Sequence, residues 1–345
     1  TGSGIIVGKS DTELLIATNN HVVQNADQLT VLFSADTENE EDKMVTAQVK
    51  GTDSSLDLAV VAVKLEDIPQ DVMDQIKVIE IGDSDEVNVG DWSIAIGNAL
   101  GYGQSVTFGI ISALNREVIL STDNGEITQN MIQTDAAINF GNSGGALLDE
   151  NGCLIGINSA KASSTGVEGM GYAIPINTAK SVIEDLMNQT TRTKADADKA
   201  GALGVHVTNV SEEARQMYNI PAGAYVYEVT DGSAAAEAGI KQGDIITKLD
   251  KTTISSMTEL LDRIQYYEAG ESVDVTIKRS GDNGYQEQVV TVTLQAKDTT
   301  DSSSQDEEST EEYQDEQSDD GDWMQSPDQS ETQPGRKATG FGYFF

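Results

Sequence analysis

Cysteine is almost missing from this chain. Cys153 stands alone in 345 residues, so no intrachain disulfide can form. Its neighbours alternate with apolar residues, which predicts a buried, inert thiol. A thiol nucleophile would want an adjacent histidine, and none is near in sequence. Cations are scarce too: 21 Lys and Arg face 58 Asp and Glu, a formal net charge of −37. Phosphate recognition needs clustered Lys and Arg, so nucleic acid and anionic membranes are excluded as partners. No apolar run reaches the roughly 18 residues of a membrane-spanning helix. There is no internal repeat. The chain opens on Thr1 inside a strand-like pattern, which leaves room for an upstream signal or anchor segment. Histidine is the last shortage: His21 and His206 are the only two, which narrows any mechanism built on an imidazole base.

What is present falls into blocks. Short strands are predicted at 4–7, 14–18, 29–33, 44–49, 57–63, 92–96 and 106–114. They are rich in Val, Ile and Thr and separated by Gly, Asp and Asn clusters, the pattern of an all-β barrel or sandwich. A helix follows, with Asn177 as its cap and Val182, Ile183, Leu186 and Met187 on one apolar face. Residues 1–188 thus read as one domain, and 189–200, which carry no apolar periodicity, as a linker. A second domain over 201–297 mixes strands with a helix opened by a capping box, Ser256 with Glu259. Leu260, Leu261 and Ile264 supply that helix's buried face. From 298 to 345 the sequence is acidic and of low complexity, which predicts disorder, and it ends on the apolar run Phe341-Gly342-Tyr343-Phe344-Phe345.

The chemistry concentrates at one serine. Gly141-Asn142-Ser143-Gly144-Gly145 surrounds a hydroxyl with glycines. Acyl transfer explains them, because a tetrahedral intermediate needs backbone N–H groups converging on its oxyanion in a turn where a Cβ would obstruct substrate. Gly141 and Ser143 would supply those amides; a glycine-rich hairpin is the plain alternative. His21 closes a strand, where a rigid scaffold presents reactive groups. His206 alternates within Val205-His206-Val207 as a solvent-facing strand residue. For the acid that orients an imidazole, Asp57 opens an apolar strand and is the first candidate. Asp53, in a polar turn, is the competitor and reads better as a turn former.

Ser143 also satisfies G-x-S-x-G, the signature of an α/β-hydrolase. That fold needs a helix directly after the serine and a later catalytic histidine. Here Ala146-Leu147-Leu148 runs into the turn Asp149-Glu150-Asn151-Gly152, and the only later histidine is His206. The α/β-hydrolase is rejected.

Three stretches together resemble the triad motifs of the HtrA (Deg) serine proteases: Thr18-Asn19-Asn20-His21-Val22-Val23, Asp57-Leu58-Ala59-Val60 and Gly141-Asn142-Ser143-Gly144-Gly145-Ala146-Leu147. Gly156-Ile157-Asn158-Ser159-Ala160, Gly171-Tyr172-Ala173-Ile174-Pro175 and Ala238-Gly239-Ile240-Lys241-Gln242-Gly243-Asp244 extend the likeness across residues 1–297. The resemblance implies a chymotrypsin-like double β-barrel followed by a small α/β PDZ domain. It implies an ATP-independent endopeptidase of protein quality control and stress response, acting on unfolded or misfolded proteins outside the cytoplasm, and needing neither cofactor nor metal. His21 becomes general base, Asp57 its orienter and Ser143 the nucleophile, with the amides of Gly141 and Ser143 as oxyanion hole. Ile138, Ala160 and Lys161 would line the primary specificity pocket, although many members carry an aliphatic residue at the position of Lys161. Arg116 corresponds to a position that, in some members, contacts the regulatory loops.

In the second domain, Ala202, Leu203, Gly204 and Val205 resemble the loop that captures a peptide's C-terminal carboxylate, with Leu260 and Ile264 of the helix beside the added strand. The implied partners are unfolded proteins, peptides with apolar C-termini and further copies of the chain in a homotrimer or larger assembly. The aromatic terminus is itself such a peptide. The implied location is extracytoplasmic, on the cell surface, tethered by an upstream membrane helix. A chaperone or peptide-binding scaffold with little or no proteolysis is the competing class.

Overall fold

The computed structural model describes residues 1–297 except 25, 27, 38, 99–102, 123–124, 164–168 and 282–283, and also residues 342–344. Apart from those three residues, the acidic tail lies outside the described residues.

The N-terminal half is built from β1 (Ile5–Lys9), β2 (Glu13–Thr18), the one-turn helix α1 (Asn20–Val23), β3 (Leu29–Leu32), β4 (Met44–Asp53), β5 (Leu58–Lys64) and the short α2 (Gln70–Met73). Its antiparallel sheet runs β1-β2-β5-β4-β3. Strands β2 and β5 read as unbroken apolar runs because both of their faces are buried. Leu14, Ile16, Ala59, Val61 and Val63 face a core of this sheet alone. Leu15, Ala17, Leu58, Val60 and Ala62 face a second core shared with the following half.

That half is a closed barrel of β6 (Trp92–Gly97), β7 (Ser105–Thr122), β8 (Gly125–Thr134), β9 (Ala146–Leu148), β10 (Leu154–Asn158) and β11 (Gly171–Pro175). Helix α3 (Ile176–Met187) then packs Ile176, Ala179, Ile183 and Leu186 into the shared core. Asn177 does not cap it. The cap is Pro175, and the Asn177 amide is satisfied by Ser84 Oγ at 3.1 Å while its side chain bonds Asp83. A hydroxyl from a distant residue thus does what a local carboxamide was expected to do.

Residues 201–297 form a separate core. Its elements are β12 (Gly201–Ala202), β13 (Val205–Thr208), α4 (Glu212–Tyr218), β14 (Ala224–Val229), α5 (Ala234–Glu237), β15 (Ile245–Leu249), β16 (Thr252–Thr253), α6 (Met257–Ile264), β17 (Ser272–Gly281), β18 (Gly284–Thr293) and β19 (Gln295–Ala296). The main sheet runs β13-β14-β15-β17-β18, leaving β13 on an edge, and β12 pairs with β19 to close the domain's two ends. Ser256 caps α6 by accepting from the Glu259 amide. The Glu259 carboxylate reaches one residue further back than a capping box requires, to Ser255 N.

Residues 189–200 are bound down along their length. Thr191 accepts from Lys50, Arg192 pairs with Glu271 and lies 4.0 Å over the Tyr267 ring, and the Ala195 amide bonds Gln265. At the far end, β20 (Gly342–Phe344) runs parallel to β3 as a sixth strand. Residues 342–344 therefore pair with the first sheet and not with the edge strand β13.

Candidate active site

Strand β2 delivers its last buried residues, Thr18 and Asn19, to a one-turn helix that swings His21 across to the start of β5. Asp57 waits there, 4% exposed, in left-handed backbone at φ 56°. That conformation is uncommon for a side-chain-bearing residue and marks a position the surroundings enforce. Four hydrogen bonds do so. Asn20 N and Asn19 Nδ2 donate to the Asp57 carbonyl at 3.1 and 3.0 Å. His21 N donates to Asp57 Oδ1 at 3.0 Å, and His21 Nδ1 meets Oδ2 at 2.7 Å. A carboxylate only accepts, so Nδ1 carries a proton, and in the neutral ring that tautomer leaves the lone pair on Nε2. Asp53, the rival acid, is engaged elsewhere: Ser55, Leu56 and Thr253 all donate to it.

Ser143 sits 4% exposed in the turn before β9. Its Oγ accepts from the Ala160 amide at 3.0 Å, and among the described residues no hydrogen bond joins it to His21. Neither the Gly141 amide nor the Ser143 amide donates to any acceptor among the described residues. The turn is otherwise pinned. Asn142 N bonds Asn139 O, Asn142 Oδ1 accepts from Asn139 N, and Gly145 N bonds Asn142 O. Gly144 has φ 81°, and a Cβ there would collide with Thr18 Oγ1 and the Ser3 carbonyl. Only glycine fits.

Sequence reasoning missed Ser3. It is 1% exposed and bridges the His21 strand to the serine turn. Its one local signal was a serine between two glycines, Gly2-Ser3-Gly4.

The expected pocket residues lie beside this turn. Ile138 and Ala160 are buried in the barrel core, and Lys161 is half-buried in the turn of 3-10 helix Ala160–Ser163. Arg116 is exposed on β7 and donates to Gln133 Oε1 at 3.1 Å across to β8. Cys153 is half-buried rather than buried. Burial raises its thiol pKa, with Asp149 and Glu80 adding to the shift. Among the described residues no group of three or more His, Cys, Asp or Glu is arranged to hold a metal ion.

Residues 2–157 match the trypsin-like peptidase domain, and residues 201–294 the PDZ domain. The serine protease Do-like HtrA of Lactococcus lactis (strain IL1403) is 37% identical over 296 residues, covering 81% of this chain and 68% of that protein. This chain belongs to the HtrA serine protease family. The periplasmic pH-dependent serine endoprotease DegQ of Escherichia coli is 38% identical over 283 residues, covering 81% of this chain and 57% of DegQ. Several of its curated relatives are matched over little more than half their length, so this HtrA chain spans only part of them. A solved HtrA-type protease, AlgW with a decapeptide, is 34% identical with a TM-score of 0.43, covering 86% of this chain and 82% of that one.

In this HtrA chain the four residues expected to take a peptide carboxylate, 202–205, run from the end of β12 to the start of the edge strand β13. The Leu203 and Gly204 carbonyls are tied down by Ala235 N and Thr230 N, while the Leu203 and Gly204 amides donate to nothing among the described residues. Gly204 has φ 73°, and a Cβ there would strike Ser233. Of the two helix residues expected beside a bound peptide, Leu260 is buried in the PDZ core at 2% exposure and Ile264 packs half-buried against that core. The helix face they mark is therefore mostly occupied by the domain itself. His206 lies exposed on β13, tilted against the Tyr227 ring.

Proposed function

We propose that this chain is a serine endopeptidase that cleaves unfolded or misfolded proteins outside the cytoplasm, with peptide capture by its PDZ domain setting its activity. The observation that carries the reading is the 2.7 Å His21–Asp57 contact in one unit with a serine whose own amide and that of Gly141 have no partner among the described residues.

The chemistry follows from those groups. Ser143 Oγ attacks the scissile carbonyl and passes its proton to His21 Nε2. Asp57 holds the ring and stabilises the imidazolium. Charge gathers on the substrate oxygen, where the Gly141 and Ser143 amides receive it. His21 returns the proton to the leaving amine, and water repeats the sequence on the acyl-enzyme. Cleavage of unfolded β-casein by wild type against Ser143→Ala tests this. The variant is expected to lose roughly 10⁶ in kcat, and equal cleavage by both would refute the assignment.

A second reading has one observation in its favour. Ser143 Oγ accepts from the Ala160 amide, and among the described residues it donates no hydrogen bond to His21. Such a chain could hold unfolded protein or peptide without cutting it until the triad closes. Fluorophosphonate labelling of Ser143 that rises on adding a peptide with an apolar C-terminus supports a latent enzyme. No labelling under any condition supports a scaffold.

The peptide is read as an added strand on β13, its carboxylate taken by the Leu203 and Gly204 amides. Ile138, Ala160 and Lys161 are assigned to the primary specificity pocket. Self-association is supported by an apolar patch outside the closed barrel, where Trp92, Val106, Phe108 and Ile110 are all exposed and the Trp92 and Phe108 rings pack edge to face. We expect a trimer by light scattering and dissociation by Phe108→Glu; an unchanged mass would remove that patch from the interface. The surface tether rests on the family resemblance alone. Among the described residues no helix is long and apolar enough to cross a membrane.

A further inference from the structure

Every polar group of Ser3 is hydrogen-bonded. Its amide donates to the Ser143 carbonyl at 2.8 Å. Its carbonyl accepts from Thr18 Oγ1 at 2.7 Å. Its hydroxyl donates to the Gly141 carbonyl at 2.8 Å and accepts from Asn98 N at 2.8 Å. One buried residue therefore joins the strand that leads to His21, the end of β6 and the serine turn.

The position of these bonds matters more than their number. The Gly141 carbonyl belongs to the peptide plane linking Gly141 to Asn142. On its two sides stand the amides of Gly141 and Ser143, the pair without partners. A plane held at its oxygen cannot swing, and the amides flanking it lose that freedom too. The next carbonyl, of Asn142, is held within the turn by Gly145 N at 3.0 Å, and the one after, of Ser143, is again held by Ser3. Of three consecutive carbonyls, Ser3 fixes the outer two. An oxyanion hole acts by being oriented before charge develops, so what orients it contributes to rate and not to substrate affinity.

We propose that Ser3 is a positioning residue for the oxyanion-binding amides, acting through the carbonyls of Gly141 and Ser143. The inference rests on the serine endopeptidase reading above. A buried serine that only stabilises the fold would lower the melting temperature and leave transition-state binding alone, and this separates the two roles.

The test compares wild type, Ser3→Ala and Ser3→Cys with a fluorogenic peptide drawn from β-casein and with the boronate of the same sequence. The tetrahedral boronate adduct places an oxygen where the oxyanion forms. Ser3→Ala is expected to lower kcat about 10- to 100-fold, less than the loss of a whole oxyanion donor, with KM within about twofold. Boronate affinity should fall by a matching factor. Wild-type kcat in Ser3→Ala, or a lowered kcat with undiminished boronate affinity, overturns the proposal. Should Ser3→Ala not fold, Ser3→Cys keeps a weaker donor in place. Parallel losses of kcat/KM and boronate affinity in that variant support the proposal, and a loss of stability alone overturns it. A wild-type chain that neither cleaves nor reacts with fluorophosphonate would defeat the endopeptidase reading itself, and this inference with it.

Discussion

Two glycine turns in this chain, 141–145 in the barrel and 202–205 in the PDZ domain, offer the same chemistry to different guests. Each leaves two neighbouring amides without partners, and each depends on a glycine at positive φ. The guests differ in lifetime. The barrel turn is read as serving a charge that exists only in the transition state, the PDZ turn a carboxylate that stays. Their bracing differs accordingly. The barrel turn is held by the side chains of Ser3 and Asn142 as well as by backbone bonds, whereas among the described residues the PDZ turn is held by backbone bonds alone, to Thr230 and Ala235 and through the strand pairs at Ala202 and Val205. The difference teaches that an amide pair becomes catalytic through what fixes it beforehand.

The sharpest way to part the turns is Asp57→Asn. It leaves both amide pairs in place, but with the asparagine oxygen kept by the His21 amide an NH2 donor faces His21 Nδ1 and favours the wrong tautomer. The loss expected is about 10⁴ in kcat, by steady-state cleavage of β-casein. Affinity for a peptide with an apolar C-terminus, by isothermal titration, should not move. A fall in peptide affinity as well would mean that Asp57 also supports the PDZ turn and is not confined to the catalytic site.

A smaller pair of effects compares the glycines directly. Gly144→Ala would drive a methyl into Thr18 and Ser3, between two rigid segments. Overpacking and backbone strain together predict about 2–4 kcal/mol of lost stability by denaturant unfolding, with fluorophosphonate labelling lost. Gly204→Ala would meet only Ser233 and is expected to weaken peptide binding while leaving Ser143 open to labelling. If Gly204→Ala abolished labelling as well, the PDZ turn would be part of the catalytic apparatus.

The same contrast explains what could be read from sequence. His21, Asp57 and Ser143 were legible because each sits in a short motif whose residues touch one another. The two-sided burial of β5 was legible in Leu58-Ala59-Val60-Val61-Ala62-Val63 for the same reason. Ser3 was not, since its bond to Gly141 spans 138 positions and leaves no local periodicity. Asn177 was misread as a cap because Ser84, which takes that role, is 93 positions away. That the 189–200 linker is held along its length could not be read either, because Lys50, Gln265 and Glu271, which hold it, are also far away in sequence.

The smallest effect concerns the other nucleophile of the same barrel. Cys153 lies ten positions beyond Ser143, and a thiol is intrinsically the stronger nucleophile. Its surroundings are the reverse of the serine turn. Partial burial, then Asp149 and Glu80, all disfavour the thiolate and hold its pKa above the ordinary thiol value. Ser143 instead faces amides that welcome negative charge. Reaction requires the thiolate, so at pH 7 Cys153 should alkylate with iodoacetamide more slowly than free cysteine, the rate rising only well into alkaline pH. Cys153→Ser should keep kcat/KM within about twofold, because the thiol touches none of the triad. Rapid alkylation at pH 7 would break the argument at its root, since it would show that acidic neighbours do not decide which of two nearby nucleophiles is live.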